Sequence, residues 1–183
     1  MKDFTFITGN QNKADYLAKL LGLDVKHYSL DLDEIQSVDL KEVVSHKARQ
    51  AFAITGAPAL VEDVSLEFNA LSGLPGTFIK FFVENAGLEE TCRMLDGFSD
   101  RSAVARCAYA YYDGNELTII EGSIKGDIAP SPSGGTLGFG WDKIFIPEGY
   151  GGRVRSDLEP DEYDALYLKI KPIEKLRIFL SGN

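Results

Sequence analysis

Hydrophobic and polar positions along the chain follow two periods, and these divide it into strands and helices. Phe4, Thr5, Phe6 and Ile7 form a short apolar or β-branched run that ends in Thr8-Gly9-Asn10. That pattern predicts a strand leading into a tight turn. Ala14, Leu17, Ala18 and Leu21 then recur at helical spacing, and Gly22 marks a C-terminal stop. Residues 25–30 predict a second strand, and the DLDEIQ run at 31–36 an acidic connector. From Asp39 a long helix is predicted. Leu40, Val43, Val44, Ala48, Ala51 and Phe52 form one face of it, and Gly56-Ala57-Pro58 ends it. Ala59-Leu60-Val61 predicts a short buried strand with Glu62 and Asp63 directly after it. LSGLPG at 71–76 reads as a turn-rich loop, and 78–85 and 88–95 as helices.

The middle of the chain changes character. Residues 102–112 and 116–124 are strand-like and are joined through Asp113-Gly114-Asn115, a hairpin signal. A Pro/Ser/Gly loop at 130–135 precedes GFGWD, a strand at 144–146 and the Gly-rich PEGYGG run. Residues 172–180 predict a helix with Pro172 at its first position. The expected fold class is α/β, with mixed strands, helices outside, and a central hairpin forming part of a second lobe. A crevice between lobes is a usual place for a small ligand.

Composition narrows the function. The 183 residues suffice for one domain, taken as 1–183, with a real core and two lobes. No apolar stretch is long enough to span a bilayer, and residues 1–20 lack the layout of a signal peptide, so no membrane contact and a cytoplasmic location are expected. Cys92 and Cys107 show no metal-ligand spacing and are expected to be free, buried thiols. The net charge of −9, with no Lys/Arg cluster, argues against a nucleic-acid surface. An anionic substrate would need a locally basic pocket built from particular lysines.

Three groups of residues carry candidate chemistry. Thr8, Asn10 and Lys13 lie where the first strand turns into a helix. A helix N-terminus offers unpaired N–H groups and partial positive charge to a phosphate, and Lys13 adds a full charge. An asparagine cap with a surface lysine gives the same pattern. Lys47, on the long helix, is either a second phosphate contact or a lysine whose stem covers the core. Glu34, Glu62 and Asp63 are the carboxylates to consider. Mg²⁺ prefers one or two carboxylates together with substrate phosphate oxygens, and another carboxylate can orient or deprotonate a water. Phe139, Trp141 and Asp142 read as an extended, glycine-flanked segment with two aromatic rings on one side, suited either to stacking on a nucleobase or to packing in the core or at a lobe interface. His27 and His46 are isolated, and no nucleophilic Ser or Cys motif is present.

Taken together, TGNQNK at 8–13, LDEIQ at 32–36, the helix carrying Lys47, LVEDVSLEFNALSGLPGTFIK at 60–80 and FGWDKIFIPEGY at 139–150 resemble the inosine triphosphate pyrophosphatase family. These are hydrolases of deaminated purine nucleotides. The resemblance covers most of the chain in the family's order. It implies an elongated mixed-sheet α/β fold with two lobes around a central substrate cleft, and a homodimer. It also implies Mg²⁺-dependent hydrolysis of a nucleoside triphosphate between its α- and β-phosphates. By position it implies that Thr8, Asn10, Lys13 and Lys47 contact the triphosphate. Glu34 and Asp63 would hold metal, with Asp63 and Lys47 catalytic and Glu62 beside them. Phe139, Trp141 and Asp142 would form the nucleobase platform, and Lys80 matches a lysine near the cleft.

The chain departs from the family at the C-terminus. Where the family carries a lysine-asparagine pair and then Ser-His-Arg, this chain has Tyr163-Asp164-Ala165-Leu166-Tyr167-Leu168-Lys169. On that alignment Tyr163 replaces the lysine, Tyr167-Leu168 the Ser-His pair and Lys169 the arginine. Lys169 offers one donor to a base carbonyl but not the planar fork of a guanidinium. Pro172 also biases Lys171 away from helical geometry.

Overall fold

The structure, a computed structural model, describes residues 2–182. It is a mixed α/β fold built on a seven-stranded sheet. The strands are β1 (Thr5–Ile7), β2 (His27–Tyr28), β3 (Ala59–Phe68), β4 (Pro75–Gly76), β5 (Ser102–Tyr112), β6 (Leu117–Ile128) and β7 (Phe145–Pro147). Their order in the sheet is β2-β1-β3-β5-β6-β7, with β4 paired to β3. β1 runs parallel to both β2 and β3, whereas β3–β4 and β6–β7 are antiparallel.

The chain divides into two compact units. The first holds residues 2–63, 107–121 and 172–182, and the second holds 64–106 and 122–171. The hairpin expected in the second lobe is shared out instead. Its turn and the adjoining strand ends belong to the first unit, and the far ends of β5 and β6 belong to the second.

In the first unit, helix α1 (Gln11–Leu21) begins where Asn10 caps it and ends at Gly22 in the left-handed region. Helix α2 (Leu40–Thr55) starts from the Asp39 side chain, which accepts from the Lys41 N–H, and ends at Gly56. Its apolar face, Leu40, Val44, Ala48 and Ala51, packs with Ile7, Ala59, Val61, Ala108 and Ala110. The hairpin turn is closed by Asp113, whose carboxylate accepts the N–H groups of Asn115 and Glu116. Gly114 is needed there on two counts. Its φ is +96°, and a Cβ would meet the Phe52 ring at 2.4 Å.

In the second unit, Leu66, Phe68, Ile79, Cys92, Leu95, Ala103, Ala105, Ile128, Ile144 and Phe145 form the core. The helix predicted at 78–85 is a short α3 (Ile79–Phe81) running into a π-helical turn at Phe82–Ala86, and α4 is Leu88–Arg93. Both cysteines are free and buried, as expected.

Several boundaries differ from the sequence reading. β3 does not stop before Glu62, because Ser65, Leu66 and Phe68 keep it buried to its end, so Glu62 and Asp63 lie inside the strand. β2 shrinks to two residues, and β6 extends past Ile124 to Ile128. Pro172 is the cap of α6 (Ile173–Ser181) rather than its first residue. Helix α5 (Pro160–Ile170) has no counterpart in the sequence reading. It starts from a Glu159/Glu162 capping box with Pro160 in its first turn, and buries only Leu166 and Ile170.

Candidate active site

The first unit gathers one set of charged side chains along β3. Neighbouring residues of a strand point to opposite faces. Glu62 and Asp63, adjacent in sequence, therefore take different partners. Lys13, from the first turn of α1, places Nζ 3.2 Å from Glu62 Oε1. The Tyr109 hydroxyl, from β5, donates to Glu62 Oε2 at 2.7 Å. On Asp63 the partner is Lys47 from α2, whose Nζ donates to Oδ2 at 2.6 Å and to Glu34 Oε1 at 3.0 Å. Glu62 is the more enclosed carboxylate, with its side chain only 3% exposed.

The strand–turn–helix at the N-terminus orders this set. Thr8 Oγ1 accepts the Asn10 N–H at 3.1 Å, and Asn10 Oδ1 accepts the Lys13 N–H at 3.3 Å. The asparagine is therefore a cap, and the same geometry presents the first turn of α1 and its lysine together.

The Lys47 stem is largely buried, and burial alone lowers an ammonium's affinity for its proton. The Asp63 charge, with hydrogen bonds to Asp63 and Glu34, outweighs that effect and holds Lys47 above the ordinary lysine value. The stabilisation this gives is present in full at neutral pH. It is lost only as pH rises through the raised value.

Three carboxylates and two ammoniums leave this constellation with one net negative charge. A polyphosphate is repelled by such a set until a dication is added. Among the described residues no group of three or more His, Cys, Asp or Glu side chains is placed to hold a metal ion. Glu34 and Asp63 instead share one cation, the Lys47 ammonium. Two hard oxygen donors of this kind suit Mg²⁺, which keeps part of its shell for phosphate oxygens and water.

The second unit gathers the aromatic set. Phe139 is exposed, and Gly140–Lys143 is a 3₁₀ turn rather than an extended segment. Trp141 is half-buried and packs edge-on to Phe145, with centroids 5.7 Å apart. Asp142 is 3% exposed, and its carboxylate is the knot of the group. Oδ1 accepts from Arg155 Nη1 at 2.7 Å, while Oδ2 accepts the Tyr163 hydroxyl at 2.8 Å and the Phe139 N–H at 3.1 Å. Burial, reinforced by the Asp142 charge, pushes the Tyr163 phenol far above its usual range, so it stays a proton donor.

Lys169 is not one of the residues gathered around Asp142. It is exposed on α5, and its ammonium lies 4.9 Å from the centre of the Tyr150 ring. Lys80 is exposed on α3. Tyr109 and Arg155 were not singled out by the sequence; their only advance signal was the placing of a tyrosine and an arginine among small or apolar neighbours. Tyr167 entered the sequence reading only as the residue standing in place of the family's serine.

The fold is α/β, and its first unit carries lysine-paired carboxylates on one strand together with a capped helix N-terminus, an arrangement suited to phosphate. The chain belongs to the Ham1 family, which matches residues 4–179. An inosine triphosphate pyrophosphatase of Ajellomyces capsulatus is 37% identical over 185 residues, covering 99% of this chain and 98% of that protein. A HAM1 protein from Coxiella burnetii superposes with a TM-score of 0.86 at 28% identity, over all of both chains. A nucleoside-triphosphatase (dITP/XTP pyrophosphatase) from Mycobacterium abscessus gives 0.80 at 26% identity, covering 95% of this chain and 98% of that one.

Proposed function

We propose that this chain is a Mg²⁺-dependent pyrophosphatase of deaminated purine nucleoside triphosphates. It takes ITP, dITP and XTP to the monophosphate and pyrophosphate. The observation that carries this reading is the Lys47 bridge between Asp63 and Glu34, in a chain of the Ham1 family whose relatives bear that activity in their names.

Each residue has a role that its surroundings support. Thr8 and Asn10 order the first turn of α1, whose N–H groups and Lys13 bind phosphate oxygens. Lys47 turns from its carboxylates to the phosphates as substrate enters, and neutralises the charge that develops on them. Glu34 and Asp63 would hold Mg²⁺, which would screen the triphosphate's charge and polarise its phosphoryl oxygens when bound. Asp63 also accepts the proton of the attacking water. Glu62, held by Tyr109 and Lys13, fixes the lysine's reach.

Phe139, Trp141 and Asp142 form the platform for the base, and Lys169 offers one donor to a ring carbonyl. A homodimer in the cytoplasm completes the proposal. A second reading, the same cleavage on a different base, draws on the altered C-terminal segment, where a lysine stands for the family's arginine.

Product analysis tests the reaction. With Mg²⁺ and ITP the expected products are IMP and pyrophosphate, and a chelator stops their release. IDP and inorganic phosphate would place the cleavage at the wrong bond and overturn the proposal.

A further inference from the structure

In the second unit, Asp142, Arg155 and Lys171 are charged residues buried from solvent. Arg155 is the unusual one. It is 5% exposed, and its guanidinium faces three aromatic rings, with centroids at 4.6 Å (Tyr163), 5.6 Å (Trp141) and 5.7 Å (Tyr167). Lys171 lies over the Tyr167 ring as well, at 4.9 Å. Arg155 Nη1 donates to Asp142, while its Nε is buried with no acceptor.

Stability alone does not explain this arrangement. A buried ion pair is often no more stable than two well-packed apolar residues, and a buried donor without an acceptor costs about 1–3 kcal/mol. What the pair does hold is geometry. Asp142 ties down the Phe139 N–H and the Tyr163 hydroxyl. Arg155 holds one oxygen of that carboxylate, and its guanidinium lies 5.6 Å from the centre of the Trp141 ring in the same turn.

We propose that Arg155 is a positioning residue that sets nucleobase selectivity by fixing Asp142 and the Trp141 ring. This rests on the reading of Phe139 and Trp141 as the base platform. A rigid platform leaves the polar edge of a wrong base unpaired, and a loosened one tolerates it. The guanidinium's planarity is what matters. A lysine at 155 keeps the charge opposite Asp142 but lacks the broad planar head that lies among the three rings.

The test uses Arg155→Lys, with Arg155→Gln as a second variant should the first fail to fold. Trp141 is the sole tryptophan, so its emission reports the platform without reference to turnover. The folded variant is expected to keep kcat on ITP within about threefold, while KM rises about tenfold and the ITP/ATP ratio of kcat/KM falls about tenfold. Trp141 emission shifts in the ligand-free protein. A folded variant with unchanged KM, ratio and emission overturns the proposal, as does one that loses only thermal stability.

If the wild-type chain hydrolyses no nucleotide, the proposed reaction fails on its own. Quenching of Trp141 by IMP and by AMP then decides the role of Arg155. A preference for IMP that the variant loses supports it. An equal preference in both proteins, or no binding to either, overturns it.

Discussion

Asp63→Asn is expected to lower turnover by about 10³-fold or more while leaving nucleotide binding measurable. The carboxamide keeps the shape of the side chain and its place inside β3, so the strand is undisturbed. It loses the charge that balances Lys47 across 2.6 Å, and it can neither accept a proton from water nor hold a dication as a carboxylate does. The proposed phosphate-binding groups of Asn10, Lys13 and Lys47 remain. Steady-state pyrophosphate release, paired with equilibrium binding of ITP, separates the two effects. Turnover within a few-fold of wild type would remove Asp63 from the mechanism. Loss of binding together with turnover would make its part structural.

The second large effect concerns stability. Asp142→Ala is expected to destabilise the protein by about 3–5 kcal/mol, because it leaves the buried Arg155 guanidinium without its counter-charge. It also strips acceptors from the Tyr163 hydroxyl and the Phe139 N–H. Typical domains have only about 5–15 kcal/mol in total, so the variant stands near the edge of folding. Replacing both partners by apolar residues, Asp142→Leu with Arg155→Met, recovers most of the loss, since no charge is then stranded. Urea unfolding of the three proteins measures this. A loss under about 1 kcal/mol for Asp142→Ala would mean that water reaches the pair and that Asp142 is not the knot of the turn.

The parts of this molecule that the sequence disclosed are those with a clean period or a local signal. The Phe4–Ile7 run, the helix with Leu40, Val44, Ala48 and Ala51 on one face, and the Asp113-Gly114-Asn115 turn all reappear in the structure. Helix α5 escaped because most of PDEYDALYLKI faces solvent, with Leu166 and Ile170 alone buried, too few positions to show a period.

The candidate site divides in the same way. Residue types at the end of an apolar run pointed to Glu62 and Asp63, but adjacency suggested one group of carboxylates. Strand alternation gives them separate lysines, Lys13 and Lys47. Tyr109 is 47 positions from Glu62, and Arg155 and Tyr163 are 13 and 21 from Asp142. Contacts of that span depend on which strand neighbours which and where α5 packs, and no local pattern encodes either.

The central claim is that the chain cleaves deaminated purine nucleoside triphosphates to pyrophosphate. The most direct measurement is kcat/KM for pyrophosphate release with Mg²⁺ from ITP, dITP, XTP, GTP and ATP, each assayed with the same preparation. The account predicts that ITP, dITP and XTP are preferred over ATP and GTP by at least about tenfold, the discrimination available to a site that leaves the wrong base's polar groups unpaired. A flat profile, or no pyrophosphate from any of the five, would contradict it.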